Sequence, residues 1–348
     1  MLDLFFQKGG VFMDKKISEQ LIKKMRLGWN LGNTLDAPAG ETSWGNPVTT
    51  REMIKKIHSL GFETLRVPVS WHRHLDEDLN IAPEWLDRVN EIVDYAYDDG
   101  MYCILNIHHD DARFQPTAEG FDGGTQYIKA VWGQLCGRFE DYGERLIFEA
   151  MNEPRIIRSR YEWHLDFSEK VCLDALEYIN RYNQIFVDTV RSNRKNNVSR
   201  FLMTPSYAAA PHHAFIPAFR PANDPADRLV ISVHSYSPIE LSLMPNPAVT
   251  EFTPQGEKEL SDIFERLNRC FVEKGLPVVI GEMGMQDKNN PDDRRRWAEY
   301  FVFEARKNGM PVIWWDNGGR DFRLFDRRSL EVYESSKCVL EGLLAGLK

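Results

Sequence analysis

Eight times along this chain of 348 residues a short apolar run gives way to a stretch of helical periodicity, and that alternation leaves few architectures open. The runs fall at 26–32, 63–67, 102–107, 145–151, 201–204, 229–233, 277–280 and 312–315. Helix signals separate them. Thr50 reads as an N-cap with Gly61 as the stop, Pro83 opens a helix to about residue 98, and further helices are predicted over 127–139, within 160–195, and over 257–273, 291–307 and 333–347. Strands that alternate with helices build a parallel sheet, and eight is the number that closes into a (β/α)8 TIM barrel. An open doubly wound sheet would carry a glycine-rich phosphate loop after its first strand. Gly28-Trp29-Asn30-Leu31-Gly32-Asn33 lacks that spacing. No linker, repeat or low-complexity tract interrupts the pattern, so the expected organisation is a lead-in over 1–25, with one amphipathic helix at 17–25, and a single α/β barrel domain over 26–348.

Composition narrows the partners. A net charge of −9 argues against nucleic acid or an anionic membrane, both of which need a basic surface. No apolar stretch approaches the ~18 residues of a membrane span. Met1–Lys8 carries an acid early and no basic n-region, and it does not read as a signal peptide. The five cysteines are scattered without CxxC spacing, which argues against a disulfide framework or a zinc site and for reduced, buried thiols. Neither cofactor nor metal is expected, and the chain is expected to act as a monomer.

Polar residues gather at the C-terminal ends of the predicted strands: Asn33, Arg66, His108, Asn152, Glu153, His234, Tyr236, Glu282 and Trp315. Each alone has an ordinary structural explanation, such as an ion pair for Arg66 or a core position for Trp315. Their coincidence on one face does not, because that face of a barrel carries its chemistry. Glu153 is followed at once by Pro154, which ends the strand beneath it, and Glu282 ends a β-branched run between Gly281 and Gly284. They fall on the fourth and seventh strands, across one mouth. Two carboxylates about 5–5.5 Å apart suit a retaining glycosidase, whereas an inverting enzyme needs roughly 6.5–9.5 Å. If Glu153 is the acid of such a pair, the negative charge of Glu282 is expected to hold it protonated. His108-His109-Asp110 invites a metal reading, but adjacent residues of a strand point to opposite faces and no HExxH motif accompanies them. No GxSxG elbow supports a serine hydrolase.

The ordered segments Gly28-Trp29-Asn30-Leu31-Gly32-Asn33-Thr34, Ser43-Trp44-Gly45-Asn46-Pro47, Leu65-Arg66-Val67-Pro68, Asn106-Ile107-His108-His109, Asn152-Glu153-Pro154, Ser232-Val233-His234-Ser235-Tyr236, Gly281-Glu282 and Trp315-Asp316-Asn317-Gly318 resemble glycoside hydrolase family 5, the cellulase family A enzymes. The similarity is greatest to the branch holding endoglucanases, lichenases and xyloglucanases. It implies a secreted, retaining endo-β-1,4-glucanase acting on a β-linked polysaccharide, with β-mannanase as the neighbouring activity and a catalytically silent carbohydrate-binding barrel as the non-enzymatic alternative. It implies Glu153 as acid/base and Glu282 as nucleophile, with Arg66, His108, Asn152, His234, Tyr236 and Trp315 around the reacting sugar. Asn33 and His109 are then placed one or two sugars away. Asp110 departs from the family pattern, in which a glutamate often follows the histidine pair. Loops 36–49, 111–126 and 155–167 are expected to choose the polymer.

Overall fold

A computed structural model describes residues 15–348, with side chains from residue 20. Its strands are β1 (Leu27–Leu31), β2 (Thr64–Val67), β3 (Tyr102–Asn106), β4 (Leu146–Glu149), β5 (Leu202–Pro205), β6 (Leu229–His234), β7 (Val278–Met283) and β8 (Val312–Asp316). All pair in parallel in chain order, and β8 returns to β1, so the sheet is a closed barrel. Around it run α1 (Lys15–Met25), α2 (Arg51–Ser59), α3 (Pro83–Asp98), α4 (Ala118–Arg138), α5 (Lys170–Arg191), the short α6 (Pro211–Ala214) and α7 (Ile239–Ser242), then α8 (Pro254–Cys270), α9 (Pro291–Lys307) and α10 (Glu334–Ala345). The expected single-domain TIM barrel is the observed fold. The stretch Met1–Lys8 lies outside the described residues.

Strand side chains alternate between two environments. Those facing the helices, such as Trp29, Leu65, Phe148, Ile231 and Trp314, join the large core between sheet and helices. Those facing the barrel axis form a separate apolar layer: Ile104, Ile147, Met203, Val230, Val279 and Ile313. Leu21 and Met25 of α1 pack into that layer. The lead-in helix thus seals the barrel floor. Two residues further along the same strands the inward positions turn polar, with Arg66, Asn106, Glu149 and Ser232, all buried.

Several boundaries differ from those expected, among them the end of β7 at Met283 rather than 280, and three have a plain local cause or consequence. Helix α4 begins nine residues before 127, where Thr117 caps it by accepting from the Gly120 amide at 3.1 Å. Gly120, Gly123 and Gly124 each lower helix propensity by about 1 kcal/mol relative to Ala, which hides the turn in the sequence. Gly124 is there for contact: a Cβ would sit 2.3 Å from the Tyr182 hydroxyl. Residues 118–126 are therefore helix rather than specificity loop. Strand β4 stops at Glu149 rather than 151, although amide bonds from Ala150 to the Met203 carbonyl (2.9 Å) and from Asn152 to the Ile107 carbonyl (2.9 Å) carry the chain on in register. Helix α8 starts at Pro254, capped by Thr253, rather than at 257.

The five cysteines are all free, three buried and Cys270 and Cys338 partly so. No described helix is long and apolar enough to cross a membrane.

Because Met25 is wholly buried against the inner layer, Met25→Ala leaves a cavity under the barrel. It is expected to cost about 2–4 kcal/mol, read as a lowered midpoint in chemical denaturation; a change below about 0.5 kcal/mol would mean that α1 is not part of the cooperative unit.

Candidate active site

The upper half of the barrel is organised by one guanidinium. Arg66 projects from β2 to the axis, fully buried. Its Nε donates to Glu149 Oε2 at 2.8 Å, and Nη1 donates to Glu282 Oε1 at 2.8 Å and Asn30 Oδ1 at 2.9 Å. Nη2 reaches Asn152 Oδ1 at 2.7 Å and His234 Nε2 at 3.4 Å. Burying a charge is costly unless it is paired and its remaining donors are used. Here strands β1, β2, β4, β6 and β7 all contribute to meeting that demand.

Glu149 answers Arg66 from β4 and also accepts from Asn106 Nδ2 at 3.0 Å and Ser232 Oγ at 2.5 Å. Glu282 reaches the site through an irregularity. Val279 and Gly281 face the axis by alternation, so Glu282 should face the helices, but the register of β7 slips on both sides, against β6 and between Ile280 and Met283 against β8. That bulge turns two consecutive residues inward. Gly281 leaves room for this, since a Cβ there would lie 3.2 Å from His234 Nε2. The second Glu282 oxygen accepts from the Tyr236 hydroxyl at 2.9 Å. Burial, then the charge of Glu282, pushes the Tyr236 phenol well above its usual range, so it remains a donor.

Glu153 stands beyond β4, held between Pro154 and a bond from Arg155 Nη1 to its own carbonyl at 2.8 Å. Its Oε1 is 2.9 Å from His234 Nδ1. His234 Nδ1 directs a proton at Glu153, while Arg66 Nη2 lies 3.4 Å from Nε2 on the other side of the ring. One oxygen of Glu153, one of Glu282 and one His234 nitrogen lie within 4.8 Å of one another. Burial raises the Glu153 carboxyl, but the His234 hydrogen bond, the His234 charge, Arg155 and Arg66 together outweigh it and hold the group below the usual glutamate range. The expectation that Glu282 holds Glu153 up is not what the free site does. The raised group is His234, where burial is outweighed by the charge of Glu282 and the bond to Glu153. With Glu153 lowered, His234 raised and the two 2.9 Å apart, the acid proton belongs to the pair.

His108 and Trp315 form the opposite wall, their rings parallel within 3° and 5.7 Å apart. Asn106 Nδ2 donates to His108 Nδ1 at 3.1 Å, which leaves the proton on Nε2. Burial, with His109 and Arg66 nearby, keeps His108 well below the usual imidazole range and therefore neutral. His109 continues the wall. Its ring is 4.5 Å from His108, its Nε2 is 3.7 Å from Asp36 Oδ2, and the exposed Trp44 lies 5.6 Å away. Asn33 shares Asp36, donating its amide at 2.9 Å. The two histidine rings lie together rather than on opposite faces, because β3 ends at Asn106 and alternation lapses after it. The lone pairs of Asp36 and His108 nonetheless face the amides of Asn33, Thr34 and Asn106. Burial pushes Asp36 up to about 6. Asp110 accepts from the Trp71 amide, His72 and the Tyr127 hydroxyl, which makes it an anchor for its loop.

All ten residues singled out in the sequence are thus at one end of the barrel, eight of them around the Arg66 cluster and Asn33 and His109 beside Asp36. Sequence reasoning missed Glu149, Asn30, Asn106 and Ser232. Glu149 had a signal: it is two residues beyond Ile147 on a strand whose inward positions alternate, so it had to enter the barrel.

The sequence profile of the cellulases (glycosyl hydrolase family 5) matches residues 30–321. Endoglucanase B of Clostridium cellulovorans is 41% identical over 325 residues, covering 90% of this chain and 72% of its own length. A lichenase of Caldicellulosiruptor sp. F32, solved as a mutant with cellotetraose, superimposes with a TM-score of 0.91 at 40% identity over 95% of both chains. A "GH5-4 broad specificity endoglucanase" of Ruminococcus champanellensis with bound cellotriose gives a TM-score of 0.87 at 37% identity, over 94% of this chain and 97% of its own.

Truncating Glu149 leaves the Arg66 charge, Asn106 and Ser232 each short of a partner. Glu149→Ala is expected to lose about 3–5 kcal/mol of stability, against less than about 1.5 kcal/mol for Tyr236→Phe, both by denaturant titration. Equal costs would show that Glu149 is not the structural counter-ion.

Proposed function

The chain belongs to the cellulase family, glycosyl hydrolase family 5, and from that membership and the geometry of the cleft we propose that it is a retaining endo-β-1,4-glucanase with Glu153 as acid/base and Glu282 as nucleophile. The observation that carries the mechanism is the spacing: a Glu153 oxygen and a Glu282 oxygen within 4.8 Å fit the close carboxylate pair of a retaining enzyme, at about 5–5.5 Å, and fall short of the roughly 6.5–9.5 Å by which an inverting enzyme admits water behind the sugar. An enzyme carboxylate must then attack first.

In the first step a glucan lies across the mouth with its glycosidic oxygen beside Glu153, which donates a proton to it. As that bond breaks, a Glu282 oxygen attacks the anomeric carbon and forms a glycosyl ester. Arg66 and Tyr236 hold both Glu282 oxygens and keep the carboxylate ionised and aimed. Having given its proton to the leaving oxygen, the Glu153–His234 pair is free to accept another. Glu153 then takes a proton from water, which attacks from the face the leaving chain vacated. Two inversions return the β configuration.

Neutral His108 offers Nε2–H to a sugar hydroxyl, and Trp315 offers a ring face to the pyranose. Asn152 accepts from Arg66 through its oxygen, which turns its amide NH2 toward the hydroxyl next to the reacting carbon. Every group in this scheme comes from one chain, which supports action as a monomer. The presence of both glutamates speaks against a silent binding barrel, and the named relatives favour glucan over mannan.

Incubation with carboxymethylcellulose, barley β-glucan, xyloglucan and glucomannan is expected to release reducing ends from the glucans fastest. Proton NMR of the first-formed ends should show the β-anomer. An initial α-anomer, or release from mannan alone, would overturn the reading.

The proton shared by Glu153 and His234 also predicts a pH profile. Glu282 raises His234, so the pair keeps its proton, and activity its acid, below that pKa and loses it as pH rises through it. The alkaline limb of kcat/KM is expected above about 6.5, the ordinary imidazole value. A limb near 4–5 would mean that Glu153 titrates alone.

A further inference from the structure

Charged and titratable groups face Glu153 and its neighbour Asp111 from every packed element. Arg66 comes from β2, and His109, Asp110 and Asp111 follow β3. Arg155 follows β4 with Glu162 behind it, His234 and Tyr236 come from the end of β6, and Glu282 from β7. The mechanism above uses neither Asp111 nor Arg155.

Arg155 is held tightly for a loop residue. Its Nη1 donates to the Glu153 carbonyl at 2.8 Å and lies 4.0 Å from Glu153 Oε2, its Nε faces Glu162 Oε1 at 3.3 Å, and its guanidinium sits 4.3 Å from the Trp163 ring centroid. Asp111 Oδ1 lies 3.3 Å from the same Nη1. That oxygen is buried and accepts no hydrogen bond among the described residues. An anchoring aspartate would have its oxygens satisfied, as Asp110 next to it does with Trp71, His72 and Tyr127. Asp111 is a largely buried carboxylate whose ion-pair partner among the described residues is the cation beside the acid.

We propose that Asp111 and Arg155 are positioning residues that set how firmly the Glu153–His234 pair holds the catalytic proton, Arg155 loosening it through its cation and Asp111 countering Arg155. This rests on the reading of Glu153 as the acid. Burial, against Arg155 and reinforced by Glu153 and Asp110, pushes Asp111 up to about 7. Asp111 therefore ionises as pH climbs toward the alkaline limb, and its new negative charge supports retention of the proton where it is about to be lost. The pair would extend the working range upward.

The two residues should act with opposite sign. Asp111→Asn keeps the shape, removes the negative charge and is expected to move the alkaline limb of kcat/KM on barley β-glucan down by about half a pH unit or more. Arg155→Gln should move it up by a similar amount, and Arg155→Lys should return it toward the parent value. The same profiles on a dinitrophenyl β-cellobioside, whose leaving group needs no proton, should lack the alkaline limb in every variant. Glu153→Gln tests the underlying reading: it should abolish the limb on β-glucan while sparing the aryl substrate, and a retained limb would remove Glu153 as the acid. If Glu153→Gln behaves as expected but the Asp111 and Arg155 variants stay within about 0.2 units of the parent, or shift in the same direction, the proposal is wrong. Should Arg155→Gln not fold, Asp111→Asn and Arg155→Lys decide it alone.

Discussion

A single buried guanidinium holds the working end of this molecule together. Arg66 pairs with Glu149 and Glu282, braces Asn30 and Asn152, and reaches to within 3.4 Å of His234. A charge removed from water constrains its surroundings more strictly than any apolar contact, because a lone missing partner costs as much as a large cavity. The strands that carry its partners must therefore agree in register to within a fraction of a residue. Asn30 aligns with Arg66 across β1–β2, and Asn106 with Glu149 across β3–β4.

Two carboxylates answer this cation, and they divide the work. Glu149 is saturated by Arg66, Asn106 and Ser232 and lies wholly buried, which suits a counter-ion that never reacts. Glu282 keeps a partly accessible face at the mouth and is held by only two donors, Arg66 and Tyr236. The difference of one strand position and one bulge separates a structural glutamate from the proposed nucleophile. Without Glu149, Arg66 would be drawn wholly to Glu282 and would lower the nucleophilicity it now merely orients.

Most of this was legible in the sequence because barrel geometry converts strand ends into a common surface. Asn152-Glu153-Pro154 and Gly281-Glu282 announced the two carboxylates proposed as the reactive pair, and the β-branched runs announced the strands. What stayed hidden has physical reasons. Glycine content masked the first turns of α4, where Gly124 serves the approach of Tyr182 rather than helix propensity. The inward turn of Glu282 depends on a slipped register that no alternation rule predicts. The protonation of Glu153 was misread because Glu282 was weighed and His234, Arg155 and Arg66 were not. The two histidines after β3 converge because pleating ends with the strand, a boundary that apolar patterning places only to within a residue or two.

The packing of α1 beneath the barrel has a consequence for traffic. Leu21 and Met25 fill the floor, and above them lies an unbroken apolar layer. Among the described residues no route runs down the axis, so polymer, hydrolytic water and both cleavage products share the one face that carries the strand ends. An endo-acting enzyme meets its polymer on that face at any point along a chain, and either fragment leaves it independently. A threaded polymer would have to slide, and successive cuts would then be correlated along it. Here each encounter is a fresh landing, and the fragment-length distribution should broaden as random scission does.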